Sequence, residues 1–166
     1  MDNLESLYQQ VIMDHARERH GSGKLAAPGG ESFQVNPTCG DQATVQVAIS
    51  HDAGEPRIAE LAWDGVGCSI SQASLSLMSD LVAGATLAEA EELGEIFREM
   101  MRSRGNFPDE KADRLEDASA MIGVSRYPAR VKCALLGWMG LRGAVAEAIA
   151  GHGAGTTDTD HPKENR

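Results

Sequence analysis

The chain of 166 residues holds three cysteines, Cys39, Cys68 and Cys133, and an acidic side chain, Asp41, stands two positions after the first of them. Thiolates are soft metal ligands and good nucleophiles, so the chemistry open to such a set is metal coordination, sulfur transfer, or both. An odd cysteine count argues against a disulfide framework, all the more in a chain that starts on an acidic, amphipathic stretch instead of a basic leader. Separations of 29 and 65 residues exclude a local CxxC knuckle, so any shared site has to be assembled by the fold. Gly40, between Cys39 and Asp41, allows a backbone turn that aims both side chains the same way. Three thiolates and one carboxylate make four ligands, the number that tetrahedral zinc prefers. Such a set is rich in negative charge and needs positive neighbours; Arg126, Arg130 and Lys132 crowd the third cysteine. The competing reading keeps each cysteine as a small core residue, Asp41 as a turn residue and the basic cluster as a solvated helix face. The five histidines, His15, His20, His51, His152 and His161, fall in the first helix, loops and tail, and none is assigned as a ligand.

The elements that must position these residues follow from periodicity. Leu4, Leu7, Tyr8, Val11 and Ile12 recur at helical spacing within Asn3 to Arg19. His20 to Glu31, rich in Gly and Pro, reads as a loop. Ser32 to Asn36, Ala43 to Ser50 and Arg57 to Trp63 have strand character and describe a small antiparallel meander. Its flanking loops, NPTCGDQ (36–42) and DGVGCSIS (64–71), each carry a cysteine. In an up-down-up meander both loops share one edge of the sheet. From Ser69 to about Gly84 the period becomes helical, and Thr86 with Glu89 forms a capping box for a further helix through Leu93, Phe97 and Met101. A broken, acidic connection (Ser103 to Asp113) precedes a shorter helix through Ala118, Met121 and Ile122. The final helix opens at Pro128 and runs to about Ala150. Cys133 is about two turns in, so the topology permits the three cysteines to converge without forcing it. Trp63, Trp138, Met100 and Met101 read as core. The expected fold is α+β, a three-stranded antiparallel sheet covered by helices: one domain over residues 1–150, then a flexible tail over 151–166.

A formal net charge of −10 disfavours nucleic acid and anionic lipid as partners. No stretch of uninterrupted apolar residues is long enough to span a membrane, and the expected location is the cytoplasm. The charge is uneven: residues 87–117 hold ten acidic and five basic side chains, whereas 118–150 hold four basic and one acidic.

NPTCGDQ, GVGCSIS and RYPARVKCALLGW, in this order, resemble the U-type iron-sulfur assembly proteins, the IscU/NifU superfamily. The opening LYQQVIMDHARERH resembles that family's first helix, so the likeness spans roughly residues 4–150. The scaffold branch carries a histidine just before the third cysteine, where this chain has Lys132, and the stretch between the second and third cysteines is longer here. Both features resemble SufU, the zinc-dependent sulfur-transfer branch. What this resemblance implies is a zinc ion on Cys39, Asp41, Cys68 and Cys133, and a PLP-dependent cysteine desulfurase, SufS, as partner. It further implies Cys39 as the acceptor of persulfide sulfur and a downstream SUF scaffold complex as recipient. Arg126, in the RYPAR segment, is the candidate for stabilising anionic sulfur. The alternatives are a scaffold that assembles an iron-sulfur cluster on the same cysteines, and a non-catalytic zinc-stabilised adaptor.

Overall fold

A computed structural model describes residues 3–52 and 54–158. Three strands, β1 (Gly30–Asn36), β2 (Asp41–Ser50) and β3 (Arg57–Val66), form an antiparallel sheet in the order β1-β2-β3. The helices are α1 (Asn3–Glu18), α2 (Ser69–Val82), α3 (Leu87–Arg102), α4 (Asp109–Arg114) and α5 (Pro128–Asp158). This is the α+β architecture that the sequence predicts.

Alternation along β2 sets the inner face. Asp41, Ala43, Val45 and Val47 are all buried, each two residues from the next, while the residues between them face outward. Asp41 therefore points to the core side because it keeps step with three apolar neighbours. The strand β3 runs three residues beyond Trp63, since Asp64, Gly65 and Val66 pair with Thr44, Ala43 and Gln42. Ladder pairing here overrides the poor strand propensity of Asp-Gly, and the expected loop before α2 shrinks to Gly67 and Cys68.

Helix α5 lies across β1 and β2, flanked by α2, and α1 packs on α2. Small residues let α5 come close. A Cβ at Gly140 would stand 2.7 Å from Val45 Cγ2, and one at Gly143 would stand 2.5 Å from Ser32 Oγ. Pro128–Gly151 has a mean hydropathy of 1.3 and is long and apolar enough to cross a bilayer, although glycines and charges interrupt its apolar run. Half of that window is buried, as suits the core helix of this fold. Helix α5 also continues past Ala150 to Asp158, into the stretch expected as tail; residues 159–166 of that tail lie outside the described residues.

Trp63, Met100, Met101 and Trp138 are core, as expected, and Phe97 stacks on Trp138 with ring centroids 5.0 Å apart. The capping box of α3 is present: Glu89 N–H donates to Thr86 Oγ1 at 3.0 Å and Thr86 N–H to Glu89 Oε1 at 2.9 Å. Two expectations change. The broken connection after α3 contains the start of α4, and the shorter helix after it is a 3-10 helix, Glu116–Arg126. Its buried Ala118, Met121 and Val124 recur every third residue, the period of a 3-10 helix, while Ile122 stays half-buried. On α1 the apolar stripe is covered only toward its C-terminal end: Leu4 and Leu7 are more than half exposed, whereas Val11, Ile12 and Ala16 pack on the core.

Candidate metal centre

Each of the four chemically suited side chains comes from a different position in the fold, at one end of the sheet. Cys39 sits in the four-residue turn between β1 and β2. That turn is closed by Gly40 N–H donating to Asn36 O at 2.8 Å and by Thr38 N–H donating to the buried Asn36 Oδ1 at 3.2 Å. Gly40 takes φ +79°, where a Cβ would be strained. Asp41 is the first residue of β2. Cys68 occupies the cap position of α2, and Cys133 lies on the inner side of α5, 2% exposed.

The carboxylate is the hub. Cys39 S–H donates to Asp41 Oδ2 at 3.1 Å, Cys68 S–H approaches the same oxygen at 3.6 Å, and Cys68 N–H donates to Oδ1 at 2.9 Å. Cys39 and Cys133 place their sulfurs 3.6 Å apart. The ligating atoms of Cys39, Asp41 and Cys133 all lie within 4.8 Å of one another, and Cys68 adjoins that trio through Asp41. Gly67 makes this possible, because a Cβ there would stand 2.3 Å from Asp41 Oδ1 and 2.7 Å from Ser71 Oγ. The sequence reading gave no role to Asn36 or Gly67. The signals were present as an Asn before Pro and a Gly beside Cys39 and beside Cys68, residue types that mark special backbone.

Burial raises the pKa of Asp41, but the thiols of Cys39 and Cys133 and the amide and thiol of Cys68 outweigh it and hold the carboxyl below its usual range. Burial, then the adjoining Asp41 and the other two thiols, push the Cys133 thiol strongly upward. A buried carboxylate ringed by thiols thus has donors around it but no cation among the hydrogen-bond partners. The electropositive N-terminal end of α2 faces the group. Arg126, Arg130 and Lys132 are exposed and carry no ion pair among the described residues. The structure does not bring Arg126 against a thiol: its guanidinium rests on Gly105, where a Cβ would meet Nε at 2.7 Å.

Cys39, Asp41 and Cys133 are spaced for a tetrahedral ion, and Cys68, which lies beside Asp41 but outside that trio, would have to turn in to complete it. Metal–sulfur bonds of about 2.3 Å and metal–oxygen bonds of about 2.0 Å give sulfur–sulfur edges of about 3.8 Å and sulfur–oxygen edges of about 3.5 Å. The observed sulfur–sulfur separation of 3.6 Å lies just under its edge, and the sulfur–oxygen separations of 3.1 and 3.6 Å fall on either side of theirs. Three sulfurs and one oxygen suit zinc or iron.

A three-stranded sheet under a long helix, with cysteines converging on a buried aspartate at one sheet end, defines a thiol centre that could hold a metal ion on an α+β scaffold. The profile of the NifU-like N-terminal domain matches residues 7–134, and the chain belongs to that family. It is 39% identical over 153 residues to the zinc-dependent sulfurtransferase SufU of Bacillus subtilis, covering 90% of this chain and 97% of that protein. It is 38% identical over 146 residues to the iron-sulfur cluster assembly scaffold protein IscU of Streptococcus pyogenes, covering 87% and 86%. A solved structure of a SUF-system scaffold protein from Fervidobacterium islandicum superposes with a TM-score of 0.70 at 29% identity, over 84% of this chain and 97% of that one.

Proposed function

We propose that the protein is a zinc-dependent sulfurtransferase that accepts sulfur on Cys39 from a SufS-type cysteine desulfurase and passes it to a downstream SUF scaffold. The observation that carries this reading is the graded exposure of the donors: Cys39 is exposed, Cys68 half-buried, and Asp41 and Cys133 are 1% and 2% exposed. Cys39 is thus the sulfur an incoming cysteine persulfide can reach, while the others are placed to hold an ion. The similarity to the B. subtilis sulfurtransferase supports the same choice.

Zinc held by Cys39, Asp41, Cys68 and Cys133 would keep the thiols deprotonated at neutral pH. Transfer itself is thiol exchange. The Cys39 thiolate attacks the terminal sulfur of the donor persulfide, a new S–S bond forms on Cys39, the donor's S–S bond breaks, and the donor thiolate leaves with the electron pair. No net oxidation occurs. The turn at Asn36–Gly40 holds Cys39 outward, Asp41 orients its thiol, and the unpaired cations on and before α5 favour approach of an anionic persulfide. Arg126, two residues before α5, is proposed to stabilise that anion, for which its guanidinium has to leave Gly105.

Incubation with the desulfurase, PLP and cysteine should add one sulfur atom to Cys39, read by mass spectrometry of the intact chain and its peptides. Cys39→Ala should abolish the addition while the desulfurase still forms its own persulfide. Unchanged stimulation of cysteine turnover by Cys39→Ala would sink the assignment. The name of the S. pyogenes relative favours a second reading, a scaffold on which an iron-sulfur cluster is built. A brown, iron-containing native protein in place of a colourless zinc protein would select it.

A further inference from the structure

We propose a second divalent-cation site, formed by His15, His20 and Asp80 where the end of α1 meets α2. Asp80 lies twelve residues along the chain from Cys68 at the start of α2, about 18 Å at the helical rise, so the two groups are separate. The ligating atoms of His15, His20 and Asp80 lie within 4.8 Å of one another, and the two imidazoles meet edge to face with centroids 4.7 Å apart.

The backbone builds this approach. Arg19 takes φ +52°, turning the chain at the end of α1 so that His20 folds back beside His15. Ser76, one turn before Asp80 on α2, pins both: its Oγ accepts His20 N–H at 2.9 Å and lies 2.7 Å from His15 Nδ1. A serine oxygen has two lone pairs, so it can accept Nδ1–H of His15 as well, which leaves the Nε2 lone pair free. His20 is held from both sides, Nδ1 at 2.7 Å from Asp80 Oδ2 and Nε2 at 2.9 Å from Glu18 Oε1. That is the arrangement of a metal-binding histidine, with one nitrogen turned to the ligand group and the other donating to an outer carboxylate. His15 is buried and Asp80 is half exposed, so the ion would close the α1–α2 junction and keep a face toward solvent. Two imidazole nitrogens and a carboxylate suit zinc, cobalt or nickel better than magnesium or calcium.

Equilibrium dialysis of the full chain against Zn2+, with metal analysis, tests the site. The wild type should hold one ion more than either His20→Gln or Asp80→Asn, and Glu18→Gln should weaken that ion roughly tenfold without removing it. Both deleted side chains are partly exposed, and circular dichroism with a thermal melt checks that the variants fold. With Co2+ as probe, the extra ion should show no thiolate charge-transfer band and should shift the ring resonances of His15 and His20. Equal stoichiometry in wild type and both variants, or thiolate bands on every bound cobalt, would overturn the site and leave His20 as a proton-bearing ion pair only. Because the result is a difference between chains with intact cysteines, it stands apart from whether the cysteine centre transfers sulfur.

Discussion

Carboxylates in two regions of this molecule have pKa values below the ordinary range for opposite reasons. In the cysteine centre, Asp41 is 1% exposed and desolvation works against its charge, which thiols and one amide restore. On α3, Glu92 and Glu95 are solvated, and the guanidiniums of Arg114 and Arg98 lower them. In the acidic region 87–117 three of the ten carboxylates meet a cation, through Arg98–Glu95, Lys111–Glu99 and Arg114–Glu92. Among the described residues Asp41 has no such cation in hydrogen-bonding reach. A buried anion whose partners are themselves ionisable ligands is poised for an external cation; a solvated anion with a paired arginine is not.

The sharpest way to break that contrast is Gly67→Ala. The added Cβ would enter the space of Asp41 Oδ1 and Ser71 Oγ at a φ of +158°, so strain and overpacking together should cost about 3 kcal/mol. Zinc occupancy should fall with it, because the displaced carboxylate no longer closes the ligand set. Urea unfolding of the metal-free chain and dialysis against Zn2+ read the two effects separately. An unchanged midpoint with full zinc content would mean that Asp41 is not held where the geometry has it.

The contrast also explains what could be read from the sequence. The candidate quartet could be picked out because cysteines are few and two of them, Cys39 and Cys68, stand beside a glycine in a connection. The sheet was legible from the alternation of β2, although β3 outran its strand-like residues because pairing with β2 carried Asp64 to Val66. The graded exposure of the three cysteines was not legible, since it depends on how α5 settles on β1 and β2 through Gly140 and Gly143. Nor was the resting place of Arg126: its closeness to Cys133 in sequence suggested a shared site, while the 3-10 helix directs its guanidinium to Gly105. Ala118, Met121 and Ile122 fit an α-helical stripe on paper, and only burial shows that Val124 replaces Ile122.

Within the acidic region, effects should be smaller and independent of metal. Thr86→Ala removes the hydroxyl that accepts Glu89 N–H and frees Glu89 from its reciprocal bond. The loss should be about 1 kcal/mol, or roughly 3 °C in Tm. It should be the same with and without zinc. A larger loss in the zinc-loaded protein would show that α3 is coupled to the cysteine centre.

The smallest effect is expected at the exposed pair itself. Glu92 has a lowered folded-state pKa because Arg114 hydrogen-bonds and attracts its charged form. A carboxyl lowered in this way adds stability above the unfolded value of 4.5, and that contribution disappears as pH falls through the lower folded value. Glu92→Gln should therefore lower Tm slightly at neutral pH, less so in high salt, and not at all once the wild-type carboxyl is protonated. Thermal melts of the two chains against pH should converge on the acid side. A gap that persisted there, or one insensitive to salt, would place the role of Glu92 in packing and remove the distinction drawn between a solvated pair and the buried Asp41.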